Sequence, residues 1–402
     1  MVRVGRNELT RFLARMVDLG NYVDRVRPIV NEVRERGDEA LIRFTKEFDN
    51  VELKKLELDK DELEVLARSV KPDVAEAIEY AIKSVEELNI KARPRDAVDE
   101  FMGLRRTIRW VPISRVGIYV PRGYFSTLIM TGVLARIAGV REIIVTTPPM
   151  RDGTITPEIA YVATRLGARV FRIGGAHAIA AMAFGTATIP KVDKVFGPGN
   201  VYVQAAKVLV SSYVGIDGIE GPTELVVCAG PDADQTLVAM DLAAQLEHAS
   251  AIGLLLTWDE DYLVRIENEL AKIGELPYIS TLVNGPKDCV DVINEVAPEH
   301  VSIWSMEVPV SNIRNAGAIS IMAPSALIDY VAGPSHVLPT GGSARWRGVL
   351  TPADFMKPIA TVEVVNAVDA VKLGNLGHVL GLREGFIRHA ESIRTWVSRL
   401  GR

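Results

Sequence analysis

Two adjacent proton carriers, Glu299 and His300, follow Pro298 and precede the apolar run Val301-Ser302-Ile303-Trp304. Proline blocks a helix through itself and keeps its predecessor extended, so the pair is expected at the edge of a strand. A carboxylate and an imidazole placed there can lean into one cleft and divide acid–base work. Taken alone, the same residues also describe an ordinary surface loop. Histidine is scarce in the chain: His177, His248, His300, His336, His378 and His389. Gln245 and His248 end a predicted helix three residues apart, hence on one face, where an amide oxygen and an imidazole can share a metal. A solvated helix end is the plainer reading of that pair by itself. Asp329 follows a predicted strand. The loop over residues 332–342, which carries His336, is studded with proline and glycine and poor in charge, as expected of a site wall rather than a linker. Glu384 and His389 fall on the last predicted helix, and His378 reads as a turn residue. One glutamine oxygen, two histidine nitrogens and one aspartate oxygen suit zinc or a similar borderline ion. Spacings this long do not by themselves bring Gln245, His248, Asp329 and His389 together.

These residues need a scaffold, and 402 residues are enough for two to four domains with a large buried core. With 24% charged and 48% hydrophobic residues, the composition is that of a soluble globular protein. A net charge of −5 argues against chain-wide attraction to nucleic acid or an anionic membrane. Residues 1–20 lack the long apolar core of a secretory signal, and the apolar runs within 173–190 are too short for a bilayer span. Two isolated cysteines, Cys228 and Cys289, give neither a disulfide framework nor a CxxC metal site, so a reducing, cytoplasmic compartment is expected. Cys228 lies in an apolar run and reads as buried strand.

Along the chain, apolar residues three and four apart predict helices over 23–36 and 62–88, punctuated by Gly37 and Pro72. From about residue 107 the texture changes. Strands are expected at 116–120, 142–147, 170–173 and 194–196, with helices over 128–138, 157–166, 178–184 and 201–213. A second run of the same kind places strands at 224–229, 252–257, 278–283, 301–305 and 318–322. Helices at 235–248, 262–272 and 287–296 separate them. Strands at this spacing with helices between them mean parallel sheets covered by helices. The fold class is therefore α/β: two incomplete Rossmann-like, doubly wound units with helical N- and C-terminal extensions, and a ligand at the carboxyl ends of the strands. The expected division is a helical arm over 1–20, a discontinuous first α/β domain over 21–115 and 224–350, and a second over 116–223. Residues 351–402 would form a helical piece too small to bury much surface alone, so it should pack on another domain or subunit. No GxGxxG occurs. The turns Gly174-Gly175-Ala176 and Gly197-Pro198-Gly199-Asn200 follow strands and can bring helix N-termini to a phosphate, although tight turns need glycine for their own sake.

Taken in order, several segments resemble the histidinol dehydrogenase family. They are Val116-Gly117-Ile118-Tyr119-Val120-Pro121, Gly174-Gly175-Ala176-His177-Ala178-Ile179-Ala180-Ala181, Phe196-Gly197-Pro198-Gly199-Asn200 and Gly221-Pro222-Thr223-Glu224. They continue through residues 241–248, Ala297-Pro298-Glu299-His300, residues 329–340 and residues 383–389. The likeness covers roughly residues 20–395. It implies an NAD-dependent enzyme that oxidises L-histidinol to L-histidine through L-histidinal in two steps, with one zinc ion per site, in an intertwined homodimer. Matched position by position, Gln245, His248, Asp329 and His389 would hold the zinc, His389 coming from the partner subunit. Glu299 and His300 would be the catalytic pair. Thr223, Gln245, His248, His300, Asp329, His336, Glu384 and His389 would meet the substrate, and Tyr119, His177 and Asn200 would meet NAD. The chain departs from the family pattern at His177, where glutamine is usual, and at Pro121-Arg122-Gly123, where Pro-Gly-Gly is usual and the following loop is longer. Thr223 replaces a common serine and keeps the hydroxyl. A dehydrogenase of another primary alcohol and a zinc hydrolase are the competing readings; the chain has no HExxH motif to favour the latter.

Overall fold

The structure, a computed structural model, describes residues 2–5, 9, 19–248 and 250–400. The helical arm expected over residues 1–20 falls for the most part outside them. The chain divides into two compact units, residues 1–92 with 113–355, and residues 93–112 with 356–402.

In the first unit, β1 (Val2–Arg3) precedes four helices: α1 (Gly20–Arg36), α2 (Asp38–Asp49), α3 (Lys60–Arg68) and α4 (Pro72–Ala92). The short strand β2 (Glu57–Leu58) lies between α2 and α3. Pro72 opens α4 at a position where its missing N–H costs nothing, which is why the apolar run over 62–88 breaks into two helices. Helix α1 buries Val26, Val30 and Val33, one stripe at helical spacing. Burying each such side chain contributes about 1.5–3 kcal/mol.

The strands β3 (Ala97–Phe101) and β4 (Leu104–Pro112) belong to the second unit. The α/β alternation then begins. It runs through β5 (Arg115–Tyr119), α5 (Phe125–Ala138), β6 (Glu142–Thr146), α6 (Pro157–Leu166), β7 (Arg169–Phe171), α7 (Gly175–Phe184), β8 (Lys194–Phe196), α8 (Val201–Val210) and β9 (Gly215–Ile216). These strands form a sheet in the order β2-β7-β6-β5-β8-β9, parallel except at β2. The chain runs outward on one side of β5 and then returns to its other side, so the strand order reverses between β5 and β8.

A second alternation follows: β10 (Glu224–Ala229), α9 (Gln235–Gln245), β11 (Ile252–Thr257), α10 (Glu260–Ile273), β12 (Tyr278–Leu282), α11 (Pro286–Val296), β13 (His300–Trp304), β14 (Ala318–Ile321) and α12 (Ala326–Tyr330). Its sheet is parallel throughout, in the order β1-β12-β11-β10-β13-β14, with the reversal between β10 and β13. Both sheets repeat one winding pattern, as the sequence rhythm predicts.

The packing differs from the expected grouping of residues 21–115 with 224–350. Val26, Val30, Val33, Leu41 and Phe44 of α1 and α2 share one core with Ile144, Phe171 and α7, and β2 pairs with β7. The N-terminal helices thus cover the first sheet. The apolar stripes said that these helices are buried, but not against which sheet.

In the second unit, β15 (Met356–Val364), β4 and β3 make an antiparallel sheet in that order, followed by α13 (Ala367–Arg383) and α14 (Ile387–Leu400). Residues 351–402 are therefore not wholly helical. Pro358 inside β15 argues against a strand by composition, and the strand is tolerated because β15 is an edge.

Cys228 of β10 and Cys289 of α11 form a disulfide. The expectation of two unpaired thiols is corrected: α11 packs on the face of β10 to which Cys228 points, and both side chains are fully buried. That pairing removes the cysteine-based ground for a reducing compartment. No helix among the described residues is long and apolar enough to cross a membrane.

Candidate active site

The catalytic candidates lie at the amino ends of the second sheet, not at the carboxyl ends where the sequence reading placed a ligand. Strand β13 begins at His300, which pairs in register with Leu225, so Glu299, just before β13, meets Glu224, the first residue of β10. The Glu224 N–H donates to Glu299 Oε2 at 3.1 Å. Ala297 turns the chain with φ +53 after α11, and Pro298 then leads into the strand. The inversion has a simple cause. Residues 217–223 carry the chain directly from β9 of the first sheet into β10, which brings the carboxyl ends of one sheet toward the amino ends of the other.

Glu299 and His300 are 8% and 2% exposed. Burial pushes the Glu299 carboxyl well above the usual range, and the carboxylates of Glu220, Glu224 and Asp329 push in the same direction. Burial lowers the His300 ring, with Asp329 opposing, so the imidazole is held neutral. His300 Nε2 faces Asp329 Oδ1 across 3.4 Å. Burial likewise lowers His336, whose Nδ1 donates to the Asp329 carbonyl at 2.8 Å.

Gln245 closes α9 and is 2% exposed. Its Nε2 donates to Asp329 Oδ2 at 2.8 Å and to Ser325 Oγ at 3.2 Å. Its Oε1 is buried with no partner. One turn earlier, Asp241 accepts from the Ser325 N–H (2.8 Å), Ser325 Oγ (2.7 Å) and Trp304 Nε1 (3.0 Å). This buried carboxylate ties α9, the end of β13 and α12 together, which fixes Gln245 against Asp329. His248 follows on the turn after α9, exposed, with its N–H on the Gln245 carbonyl at 3.3 Å. Thr223 is half-buried before β10, and its carbonyl accepts from Ile252 N at 2.8 Å. The structure thus gathers Gln245, Asp329, His300, His336 and Glu299. Glu384 and His389 belong to the second unit and are exposed there.

A buried polar oxygen without a donor is an energetic anomaly that a cation removes. Gln245 Oε1 is such an oxygen, and the Nε2 of the same amide bonds the Asp329 carboxylate, so these residues fit a divalent ion. Among the described residues, however, no group of three or more His, Cys, Asp or Glu side chains is already gathered as a metal cluster.

At the first sheet, Tyr119 ends β5 and its Oη accepts from the Gly175 N–H at 3.3 Å. Burial pushes this phenol up to about 12, so it remains an un-ionised hydroxyl. A Cβ on Gly197, where φ is +113, would lie 2.1 Å from the Tyr119 carbonyl, so only glycine fits there. Asn200 caps α8, its Oδ1 accepting from Tyr202 N at 3.1 Å and Val203 N at 3.2 Å. The N-termini of α7 and α8 therefore open at the carboxyl ends of β7 and β8, a geometry that suits an anionic ligand. His177 is on the first turn of α7 but buried, with ring centroids 5.8 Å from Phe44 and 5.9 Å from Phe48. Both of its nitrogens lack partners, and burial drives its ring down to about 3. Arg122 pairs with Asp49 at 2.8 Å, tying the turn after β5 to the end of α2.

Several polar residues around the site had no role in the sequence reading: Glu220, Glu224, Asp241, Ser325, Thr340 and Arg347. Glu224 stands within a quoted segment, and burial raises its carboxyl to about 7. Asp241 and Thr340 also fall within such segments, whereas Glu220, Ser325 and Arg347 carry no local signal, because their partners are remote in sequence. Thr340 Oγ1 accepts from the Gly221 N–H at 2.5 Å, Glu224 Oε1 from the Gly341 N–H at 3.1 Å, and Glu220 Oε2 from Arg347 Nη2 at 2.5 Å.

The model of a known family, described as histidinol dehydrogenase, matches residues 14–397. A protein named histidinol dehydrogenase from Saccharolobus solfataricus is 41% identical over 385 residues, covering 94% of this chain and 96% of its own. One of the same name from Sulfolobus acidocaldarius is 43% identical over 377 residues, covering 92% and 94%. The crystal structure of histidinol dehydrogenase from Elizabethkingia anophelis superposes with a TM-score of 0.93 at 30% identity, over 100% of this chain and 99% of that one. Family model, relatives and fold agree over almost the whole length, and the chain belongs to the histidinol dehydrogenase family.

Proposed function

We propose that the protein oxidises L-histidinol to L-histidine through L-histidinal, using two NAD, as the last step of histidine biosynthesis. The observation that carries the reading is a pair of adjacent buried proton carriers, Glu299 and His300, set beside Asp329 and Gln245. Gln245, His248 and Asp329, with His389 of a second copy, would hold one zinc ion. When bound, zinc would orient the substrate's imidazole and amino nitrogens, and NAD would accept the electrons of each oxidation.

The chain's own residues account for the proton work. His300, kept neutral by burial, accepts the alcohol proton at Nε2, and the charge it gains is stabilised by Asp329 Oδ1. Glu299 then takes a proton from the water that attacks the aldehyde. Burial makes its carboxylate, once ionised, a stronger base than one in solvent. Its Oε2 is aimed by the Glu224 N–H, which leaves Oε1 for the water. Thr223, His336 and Glu384 contact the substrate. Tyr119, His177 and Asn200 line the dinucleotide side, with His177 acting as a neutral, rigidly packed ring.

A homodimer with shared sites accompanies this reading. His389 and Glu384 are exposed near the apolar side chains of Leu380, Phe386 and Ile387, each more than half exposed, as expected of a surface that a partner covers. The direct test is to incubate the zinc-loaded protein with L-histidinol and NAD. The reading expects histidine and two NADH per histidinol. A zinc-loaded dimer that forms neither product would refute it.

A further inference from the structure

A fully buried ion pair lies outside the catalytic cluster. Lys207 of α8 and Asp217, just after β9, meet at 2.7 Å with no exposed side-chain surface on either partner. Such a pair is costly to desolvate and seldom adds much stability over apolar residues of equal volume. Its partners show what it holds. Asp217 Oδ2 accepts from the Gly197 N–H at 2.7 Å, and Lys207 Nζ donates to the Gly197 carbonyl at 2.5 Å. Both backbone groups of one left-handed glycine are thus gripped by the two charges. Gln204, one turn before Lys207, adds a third hold: its Nε2 donates to the Gly199 carbonyl at 3.1 Å, and its Oε1 accepts from the Glu220 N–H at 2.9 Å. Arg347 Nη1 bonds the Asp217 carbonyl at 3.1 Å while its Nη2 bonds Glu220.

We propose that Lys207, Asp217 and Gln204 are positioning residues that fix the turn Gly197-Pro198-Gly199-Asn200 in the shape needed for NAD binding. None of the three needs to touch the cofactor. The proposal rests on the reading of that turn as the dinucleotide side. It accounts for placing charges where apolar packing would serve stability: charge-assisted bonds hold both polar groups of a glycine whose backbone would otherwise be free to move.

The test uses the full-length, zinc-loaded protein and NADH as the probe. The double variant K207M/D217L replaces the pair by apolar groups of similar volume, and Q204M removes the hold on Gly199 without touching the pair. Both should keep their circular dichroism and zinc content. Each should bind NADH more weakly, by about 10-fold to 100-fold, with a matching rise in KM for NAD. Histidinol binding should change less than about 2-fold. If both variants fold and bind NADH like the parent, the ion pair is structural and the proposal is overturned. Should the double variant fail to fold, Q204M alone decides in the same way. A parent enzyme that does not bind NADH refutes the dinucleotide reading itself, and the proposal falls with it, an outcome distinct from parent-like binding by the variants.

Discussion

Replacing Glu299 by Gln separates the two half-reactions. Glutamine keeps the shape and can still accept the Glu224 N–H bond at Oε, so the loop before β13 should stay in place. What disappears is a proton acceptor. General-base assistance is worth about 10²–10⁴ in rate, which corresponds to about 3–5 kcal/mol of barrier. The first oxidation leaves its proton on His300 and should slow by less than about 10-fold. The expected result is an enzyme that makes close to one NADH per histidinol instead of two and releases an aldehyde that semicarbazide traps. The pH dependence gives a second readout. Burial and the neighbouring carboxylates raise the Glu299 pKa, so the parent's second step should climb with pH as that group ionises. E299Q should lose this climb. Stopped-flow absorbance at the NADH band, combined with product analysis across pH, follows both. Full histidine formation by E299Q with an unchanged pH profile would show that the base is elsewhere.

His300→Asn should slow the first oxidation by about 10²–10⁴-fold while zinc stays bound; loss of zinc on metal analysis would mean that His300 is a ligand rather than a base. His389→Ala should lose zinc and activity, and so should Asp329→Ala. Mixed dimers of the two should regain activity at one of their two sites, and no regain would place the whole site within one chain. Glu224→Gln tests a stability consequence. Burial raises the folded carboxyl to about 7, so between its ordinary value and 7 the unfolded chain binds fewer protons than the folded one. Stability therefore falls as pH rises through that window, with no cost below it and the full cost above, on the order of 3–4 kcal/mol. Guanidinium unfolding should show the variant gaining on the parent from pH 5 to pH 8. A constant difference between the two would refute the assignment.

Much of the architecture was legible because it is local. Alternating apolar runs and helical stripes placed the strands and helices of both sheets, and the predicted bounds of β8, β10, β11 and α6 match those observed. The donor types of the site were legible as well, since only certain side chains can exchange protons or bind a metal. Position along the chain also marked Pro298-Glu299-His300 as the entry to a strand, and His300 is the first residue of β13. The ordered family segments carried the rest of the functional reading, and family membership is what the comparisons show.

Other features depend on contacts between residues far apart in sequence. Periodicity tells a helix which face to bury but not which sheet to cover, so α1 and α2 went to a sheet the pattern could not name. The disulfide joins residues 61 positions apart, and only the packing of α11 on β10 brings them together. The edge strand β15 was hidden by Pro358, whose cost depends on whether a neighbouring strand needs its N–H. Most telling is which end of the sheet carries the candidate pair. Composition is the same at both ends of a parallel strand, so nothing in β10 or β13 announces that the amino ends carry the candidate residues. That follows from residues 217–223, which lead straight from the carboxyl side of the first sheet into the second. The sequence by itself determined which residues could exchange protons or bind a metal, and which segments could form strands. Tertiary structure decided that Glu299 and His300 would be buried beside Asp329 and Gln245, because desolvation and hydrogen bonding are properties of the neighbours a residue acquires on folding.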